Sequence, residues 1–299
     1  MTFDQLRIFV VVARELNMRR AGEMLFLTQP AVSAAIHALE TRYETKLFDR
    51  VGRGLELNAA GRSFLPEAQA VLARADEAQR VLDDLSCLLR GEVRIAASQT
   101  VASYWLPVRM ARFTKAYPRL AVSLTTGNST QAAAALMAGE ADLAFVEGAV
   151  DEDLLQARRV GGDAFSLYSA PGHPLAGRPL DENDLREAVW VFREHGSGTR
   201  DHLEAALSGM GLTASDLSIR LEMPSNEAVL GAVEAGGLIA GVSDLAAASR
   251  VALGQLVRLD FALPSRDFRV LFHRARRRSH ATATFEREIC PTGPVRATA

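Results

Sequence analysis

The sequence predicts an α/β protein in which a long helix joins a small, mostly helical N-terminal domain to a larger C-terminal domain. Three observations predict this organisation. Apolar residues in the first sixty positions recur at helical spacing and end in a short hairpin pattern. Residues 58–89 contain no glycine or proline beyond Gly61 and Pro66. After residue 91, strand patterns alternate with helical ones, which is typical of a parallel α/β sheet.

Composition excludes several classes of protein. The chain has 299 residues, of which 48% are apolar and 23% charged. This length allows two or three domains, and the apolar fraction excludes a wholly disordered chain. No apolar run approaches the roughly 18 residues of a membrane span, and the first residues lack the pattern of a signal peptide. We therefore expect a soluble, cytoplasmic protein with no membrane partner.

Charge and cysteine content leave the kind of ligand open. The formal net charge is −2, and residues 1–61 hold eight Lys and Arg against seven Asp and Glu. A DNA-binding role therefore depends on where the cations lie rather than on their number. Cys87 and Cys290 form neither a disulfide framework nor a zinc spacing, and the six histidines show no metal spacing. We expect no metal and no cofactor.

The N-terminal pattern predicts three helices and a hairpin. The first helix is expected to bury Phe3, Leu6, Phe9, Val10, Ala13 and Leu16, and the third to bury Val32, Ile36, Leu39 and Tyr43. Asn17 is the expected cap of the second helix, and Thr28 caps the third, with Pro30 in its first turn. Residues 47–57 alternate around a glycine-flanked Arg53. Three helices followed by such a hairpin make a winged helix-turn-helix, whose third helix enters the DNA major groove.

The expected DNA contacts lie on the polar ridge of the third helix and on cations near it. Arg20 and Arg53 could also be ordinary surface arginines, Gln29 could merely support the helix start, and His37 is balanced between groove contact and idle surface. In this motif, cations contact phosphates and polar side chains read base edges. The candidate DNA-binding residues are Arg20, Thr28, Gln29, Pro30, Ser33, His37, Arg50 and Arg53.

The long helix predicts self-association. Apolar residues from Phe64 to Leu89 are spaced alternately by four and three residues, an average of 3.5 that favours a coiled-coil seam. The seam residues are Phe64, Ala68, Val71, Ala75, Ala78, Leu82, Leu85 and Leu89. The alternative is a helix packed on its own domain, which usually has a wider stripe. We expect a homodimer through this helix, and a homotetramer is compatible with it. The predicted divisions are 1–58, 59–90 and 91–299.

Polar strand-to-helix junctions in the C-terminal domain predict a ligand cleft. Glycines allow tight turns there, hydroxyls can donate, and helix N-termini favour an anion. One such junction alone is merely a capped helix; several, one of them carrying an arginine, favour a cleft for a small anion. The candidate residues at these junctions are Ser98, Thr100, Asn128, Ser197, Thr199, Arg200 and Asn226.

Five motifs in the first sixty-one residues resemble the N-terminal signature of LysR-type transcriptional regulators, and the rest of the chain is also similar to that family. The motifs are Leu6-Arg7-x-Phe9, Thr28-Gln29-Pro30-Ala31-Val32-Ser33, Ile36-x-x-Leu39-Glu40, Leu47-Phe48-x-Arg50 and Leu57-x-x-Ala60-Gly61. Gly22 departs from the alanine that is usual there and would soften the second helix, because glycine costs about 0.5–1 kcal/mol within a helix. Tyr43-Glu44 and Asn58 also replace the usual residues.

The resemblance implies a fold and partners. The fold is α/β with an N-terminal winged helix-turn-helix, a long linker helix and a two-lobed effector domain like a periplasmic binding protein. It implies two crossovers, with lobe I at about 91–162 and 267–299 and lobe II at about 163–266. The partners it implies are double-stranded DNA, a small effector, a second copy of the chain and RNA polymerase. The effector would switch a sequence-specific regulator by binding between the lobes.

Residues 193–200 resemble a segment of LysR regulators that sense inorganic sulfur anions or phosphorylated metabolites, a subgroup with a GSGTR loop. This resemblance implies effector contacts by Ser98, Thr100, Ser197, Thr199 and Arg200. We therefore expect an anionic effector.

Two other classes of protein fit the sequence less well. A solute-binding protein would leave the first ninety residues unexplained. An enzyme is disfavoured because the chain has no G-x-S-x-G, H-E-x-x-H or Walker motif, so we expect no catalytic residues. The basic run Arg274–Arg278 is interpreted as a solvated face, with a second nucleic-acid patch as the alternative.

Overall fold

The computed structural model of the chain describes residues 1–51, 54–85, 91–148, 150 and 152–290. The chain forms two compact units, Met1–Cys87 and Leu88–Ala299. Arg53, the predicted tip of the wing, lies outside the described residues. Within the described part of the chain, no helix has the length and apolar character needed to cross a membrane.

The N-terminal unit is a winged helix-turn-helix followed by a long helix, as predicted. Its elements are α1 (Phe3–Glu15), α2 (Met18–Leu25), α3 (Gln29–Arg42), β1 (Phe48–Val51), β2 (Gly54–Leu57) and α4 (Ala59–Leu85). Asn17 caps α2 by accepting hydrogen bonds from the N–H groups of Arg19 and Arg20, and Thr28 caps α3 through the N–H of Ala31. β1 and β2 pair as an antiparallel hairpin.

The core of this unit differs from the predicted stripes at the helix ends. Leu6, Phe9 and Ala13 are buried as expected, but Phe3, Leu16 and Tyr43 are exposed. Leu16 and Tyr43 are the residues at which α1 and α3 end, so their side chains leave the helical face. Ile8 and Val12, which the prediction omitted, are buried beside them.

The first half of α4 packs on its own unit. Ala68 is buried in the helix-turn-helix core, and Phe64 packs against that core. Val71 and Ala78 are exposed. The predicted seam therefore divides into an inward part and an outward part. The side chains of Leu82 and Leu85, and Leu89 as a whole, lie outside the described part of the chain.

The C-terminal unit begins with most of lobe I. Its elements are β3 (Gly91–Ser98), a π-helical turn (Val101–Trp105), α5 (Leu106–Ala116), β4 (Leu120–Gly127), α6 (Ser129–Met137), β5 (Leu143–Glu147) and β6 (Leu155–Asp163). β3 pairs in parallel with both β4 and β5, as the alternation of strands and helices predicts.

Lobe II follows without a break in the fold. Its elements are β7 (Phe165–Ser169), α7 (Glu182–Glu187), β8 (Val189–Arg193), α8 (Gly198–Ser208), a 3-10 turn (Ala214–Asp216), β9 (Ser218–Met223), α9 (Asn226–Glu234), β10 (Ile239–Ser243), α10 (Asp244–Ala252) and β11 (Val257–Arg258). The strand order of its sheet is β11-β7-β10-β8-β9.

The chain then returns to lobe I through β12 (Arg266–His273) and α11 (His280–Ile289). The sheet order β4-β3-β5-β12-β6 places the returning strand between two earlier ones, and β12 is antiparallel to both. The two predicted α/β lobes with two crossovers are confirmed. The parallel pairing that the alternation predicts is found among β3, β4 and β5 and among β8, β9 and β10, whereas β6 and β12 in lobe I and β7 and β11 in lobe II run antiparallel to their neighbours.

Close packing between α2 and the turn that follows it requires a glycine at position 22. The residue is therefore more than a site that lowers the helix stability of α2. A Cβ added there would lie 2.7 Å from the carbonyl oxygen of Leu27 and 3.5 Å from Val32 Cγ2. The backbone of the turn between α2 and α3 therefore approaches α2 closely. Alanine at this position would force the turn away from the helix.

We predict that Gly22→Ala destabilises the N-terminal unit, although alanine is the better helix former. The close approach to Leu27 should cost about 1–3 kcal/mol, which exceeds the gain of about 0.5–1 kcal/mol from helix propensity. Scanning calorimetry of the full chain measures the effect. Gly231→Ala in α9 is the matched control, because a Cβ there meets nothing within 4 Å and should stabilise. Equal stabilisation by both changes would contradict this interpretation.

Candidate functional site

The exposed ridge of α3 is the candidate DNA-binding surface. Val32, Ile36 and Leu39 are buried on one side of the helix. Gln29, Pro30 and His37 are exposed, and Ser33 is half-buried. The structure thus places the predicted base-reading residues on a polar ridge that points away from the core. Such a ridge has the geometry of a helix that enters the major groove.

The predicted DNA-contacting residues outside the ridge differ in the partners that they already have within the protein. The Thr28 hydroxyl oxygen accepts the N–H of Ala31 at the start of α3, which leaves its O–H available as a donor. Arg20 is exposed, and its Nε lies 2.7 Å from a carboxylate oxygen of Glu15 on α1. Arg50 is exposed on β1. The structure therefore supplies polar and cationic groups around α3, but Arg20 already has a carboxylate partner.

The second candidate site is the cleft between the lobes, where predicted effector residues from both lobes meet. Thr100, which follows β3, is fully buried and accepts a hydrogen bond of 3.0 Å from Asn226 Nδ2 at the start of α9. The backbone N–H of Asn226 donates to Gln99 Oε1 at 3.1 Å. Lobe I and lobe II are thus joined directly by polar side chains that follow the carboxyl ends of their strands.

A carboxylate of the protein itself is held between residues of the two lobes. Arg193, at the end of β8, is 3% exposed and holds Glu194 in a bidentate contact, with Nε–Oε2 of 2.7 Å and Nη2–Oε1 of 2.9 Å. Asn128, at the start of α6, donates to the same carboxylate at 3.3 Å. Burial raises the pKa of Glu194, but hydrogen bonds and charge from Arg193 outweigh it and leave the pKa below its ordinary value.

A second buried arginine joins the two crossovers. Arg266 begins β12 and contacts Asp163 at the end of β6 through two hydrogen bonds of 2.7 and 2.8 Å. Its Nη1 donates to the hydroxyl of Thr199 at 3.0 Å, and Nη2, which also contacts Asp163, donates to the hydroxyl of Thr100 at 3.2 Å. The Arg266 guanidinium therefore links the two crossovers to each other and also donates to one hydroxyl in each lobe.

Glu147 completes this buried charge cluster. It ends β5, is 3% exposed, and lies 3.9 Å from Arg266 Nη1. The Ser129 hydroxyl donates to its carboxylate at 3.2 Å. Burial raises the pKa of Glu147, but the charge of Arg266 and the hydroxyls of Ser98 and Thr100 outweigh it and hold the pKa below its ordinary value.

The remaining predicted effector residues lie at the edge of this network. Arg200 is buried, and its guanidinium contacts Glu204 at 2.7 Å and Glu222 at 2.5 Å as well as the carbonyl oxygen of Arg193. Ser197 begins α8 without a capping hydrogen bond. The Ser98 hydroxyl is buried and lies beside the Glu147 carboxylate, whose pKa it helps to lower. The role predicted for these residues stays a prediction.

Sequence reasoning missed the charged residues that organise the cleft. Glu194 lies in the segment 193–200, but the sequence analysis assigns it no role, and it assigns none to Glu147, Asp163 or Arg266. Glu147 ends a short apolar strand, a position that already indicates the ligand-binding edge of a sheet. No local signal pairs Asp163 with Arg266, since 103 residues separate them.

Comparison with known proteins accounts for the two units. The sequence model of the bacterial regulatory helix-turn-helix protein of the lysR family matches residues 3–62, and that of the LysR substrate binding domain matches residues 88–289. A probable RuBisCO transcriptional regulator of Trichormus variabilis is 31% identical over 97% of this chain and 88% of its own length.

Two solved structures are similar over long stretches. Full-length CbnR complexed with its target DNA is 23% identical, covers 97% of this chain and 99% of its own, and superposes with a TM-score of 0.69. The regulatory domain of Synechocystis CcmR in complex with 2-PG is 27% identical, covers 67% of this chain and 96% of its own, and gives a TM-score of 0.62.

A helix-turn-helix of this type joined to a two-lobed ligand-binding domain defines a DNA-binding transcriptional regulator with an effector-binding domain. The chain belongs to the LysR family of these regulators. The family consists of regulators and not enzymes, as the absence of catalytic motifs predicted. The described part of the chain contains no group of three or more His, Cys, Asp or Glu residues that could hold a metal ion.

We predict that Glu147→Gln weakens the C-terminal unit at neutral pH by roughly 3 kcal/mol, because it removes one partner of a buried arginine. The pKa of Glu147 is lowered from 4.5, so its stabilising contribution is present above that pH and is lost as the pH falls through the depressed value. Denaturant unfolding between pH 5 and pH 3 should therefore show a smaller loss on acidification in the variant.

Glu92→Gln is the control for this change, since Glu92 is exposed on β3 of the same sheet. It should leave both the stability and its pH dependence unchanged. Parallel pH profiles for the wild-type protein and Glu147→Gln would contradict a stabilising charge on Glu147.

Proposed function

We propose that this regulator binds operator DNA through α3 as a homodimer and is switched by a small anion in the cleft between lobes I and II. The central observation is the carboxylate of Glu194, which is held by Arg193 and Asn128 as an anionic ligand would be held. Contact with RNA polymerase is part of the same proposal and rests on the family resemblance alone.

The surroundings of the cleft favour an anion. Three helices begin there, α6 at Asn128, α8 at Ser197 and α9 at Ser225. The positive dipole ends of these helices stabilise negative charge. The complex of CcmR with 2-PG supports a small ligand in the corresponding domain of a similar protein.

Arg193 is the proposed guanidinium for the effector, with Arg200 behind it. Arg200 would have to break its ion pairs with Glu204 and Glu222 before its guanidinium could bind the anion as the sequence predicted. Arg193 would have to release only one carboxylate, that of Glu194, to bind a free anion. Arg193 Nη1 also donates to Asn226 Oδ1 at 2.7 Å. Replacement of Glu194 by an anion would therefore change the surroundings of a residue at the start of α9. The residues proposed around the anion remain Ser98, Thr100, Asn128, Ser197, Thr199, Arg200 and Asn226.

Displacement of Glu194 provides the switch. Glu194 and Arg193 belong to lobe II, whereas Asn128 belongs to lobe I, so release of the carboxylate removes a contact between the lobes. An effector shifts the conformation only by the difference in its affinity for the two arrangements. An anion that must expel Glu194 has such a difference, because it binds the arrangement in which Glu194 has moved.

We predict that Glu194→Gln binds the effector anion about tenfold more tightly, since a neutral amide competes less well for Arg193. Isothermal titration of the full-length protein with sulfite, sulfate, thiosulfate, phosphate and 2-PG measures this. Arg193→Gln should reduce affinity at least tenfold. Glu187→Gln, an exposed carboxylate on α7, is the matched control and should bind like the wild-type protein.

Two results would overturn the anion proposal. One is binding of a neutral ligand in the cleft with no response to Glu194→Gln. The other is the absence of binding by every anion of the series to both the wild-type protein and Glu194→Gln. Glu194→Gln is informative even where Arg193→Gln fails to fold, because Glu194 is only half-buried.

The exposed ridge of α3 supports the proposed DNA contacts at Gln29, Pro30, Ser33 and His37, and the proposed contacts Arg20, Thr28 and Arg50 are exposed in the same unit. Arg53, which lies outside the described residues, is proposed from the sequence alone. CbnR has been solved with its target DNA and has the same fold. Self-association is supported by the outward part of α4, where Val71 and Ala78 are exposed. It is also supported by an apolar hollow of about 290 Å³ that includes Met1, Tyr43 and Phe64. A second copy of the chain is the occupant we propose for it.

We predict that Gln29→Ala weakens binding to the selected operator by about 1–3 kcal/mol, as expected for loss of a bidentate base contact, with little loss on random DNA. Bound genomic fragments are first selected with the wild-type protein and footprinted, and affinities are then measured at fixed salt. Gln255→Ala, an exposed glutamine after α10, is the control and should leave affinity unchanged. Equal weakening on operator and random DNA would assign Gln29 to the phosphate backbone instead.

A further inference from the structure

The turn between α2 and α3 presents an exposed aromatic residue to which the proposed function assigns no role. Phe26 is 98% exposed, the largest value among the large apolar side chains that the structure describes. It is the residue at which α2 ends, and the exposed residues 27–30 lead from it directly into α3. The aromatic residue therefore adjoins the start of the candidate DNA-binding ridge.

The backbone of Phe26 has a conformation that disfavours an aromatic residue. Its φ of +55° and ψ of +36° lie in the left-handed region, where glycine and asparagine are the usual residues at the end of a helix. Leu16 ends α1 in the same conformation, but its side chain is less than half exposed. Phe26 combines an unfavourable backbone conformation with a ring that is hardly buried. The fold alone therefore gives no reason for an aromatic side chain here, whereas a partner that covers the ring would.

Hydrogen bonds and close packing hold the backbone of Phe26 against α2. The N–H of Phe26 donates to the carbonyl oxygens of Gly22 and Glu23, and the N–H of Leu27 donates to that of Gly22 at 2.8 Å. The carbonyl oxygen of Leu27 packs so closely that a Cβ at Gly22 would lie 2.7 Å from it. A ring on a backbone that is already ordered loses less conformational entropy when a partner covers it.

We propose that Phe26 contacts the C5-methyl group of a thymine when α3 enters the major groove. The proposal rests on the proposed binding of DNA through α3, in which the N-terminal residues of the helix approach base edges. Phe26 precedes the cap residue Thr28 by two positions, so their Cα atoms are at most about 7 Å apart, roughly two base-pair steps. The thymine methyl is the apolar group that base pairs present in the major groove, and phenylalanine is among the side chains that contact it.

This contact would give Phe26 a part in sequence selection. The side chains of Gln29, Ser33 and His37 can read base edges only through hydrogen bonds. A hydrocarbon ring instead distinguishes thymine from cytosine by a methyl group. The operator is therefore expected to have a thymine in each half-site whose methyl group contributes to affinity through Phe26.

The test compares thymine with uracil, which lacks only the methyl group, in the operator selected and footprinted with the wild-type protein. Synthetic duplexes carry deoxyuridine in place of one thymine per half-site, and each is titrated with full-length protein at fixed salt. At one position the replacement should weaken binding of the wild-type protein about fourfold, the value of one buried methyl group. Phe26→Asn should bind the thymine operator at least fourfold more weakly and should not distinguish thymine from uracil at that position.

Stability and a matched variant separate a DNA contact from a structural role. Asparagine tolerates the left-handed conformation and loses almost no buried surface, so Phe26→Asn should melt no lower than the wild-type protein in scanning calorimetry. Leu253→Asn, which replaces an exposed leucine at the end of α10, is the control. It should leave operator affinity and the response to uracil unchanged.

Two results would overturn the inference and leave the proposed function standing, provided that Gln29→Ala still weakens operator binding. One is wild-type operator affinity in Phe26→Asn, which would leave the ring for a protein partner. The other is weaker binding by Phe26→Asn with the same response to uracil as the wild-type protein at every thymine, which would assign the ring to the sugar–phosphate backbone. A wild-type protein that protects no DNA would overturn the proposed function and this inference together.

Discussion

The ion pair between Arg266 and Asp163 is the contact on which the C-terminal unit depends. Asp163 ends the strand that leaves lobe I, and Arg266 begins the strand that returns to it, so the pair closes the two crossovers against each other. The same guanidinium donates to Thr100 in lobe I and Thr199 in lobe II. Removing a charge of this kind from water is costly unless its donors are satisfied, and here three neighbouring side chains accept four hydrogen bonds from it.

The cleft that opens from this junction is polar because of where its residues lie, at strand ends and helix starts. The side chains of Glu194, Asn226 and Arg200 already have partners in the protein itself. Glu194 on Arg193 and Asn128, and Asn226 on Thr100, are contacts that an effector must replace rather than add to. The binding energy of an effector is consequently a difference between two sets of hydrogen bonds, which is the condition for a ligand to shift a conformational equilibrium.

The sequence predicted those parts of the structure that local chemistry determines. Helix caps at Asn17 and Thr28, the winged helix-turn-helix and the two α/β lobes are confirmed. The pairing of Arg200 with Glu204 also had a local signal, because the two residues are one helical turn apart, yet the arginine was interpreted as free for a ligand. β6 was missed because its polar, largely exposed sequence has no strand alternation. The approach of Leu27 to Gly22 and the pairing of Asp163 with Arg266 depend on tertiary contacts, which no local pattern contains.

The position of β12 between β5 and β6 has a consequence for biosynthesis. Among the strands of the described residues, β6 pairs only with β12, and β12 is made only after the whole of lobe II. A nascent chain on the ribosome therefore exposes an unpaired β6 until about a hundred further residues have been translated. Lobe II can close its own sheet first, since its five strands are consecutive. Maturation of lobe I then waits for the last segment of the polypeptide, and premature termination before Arg266 would leave an edge open to aggregation.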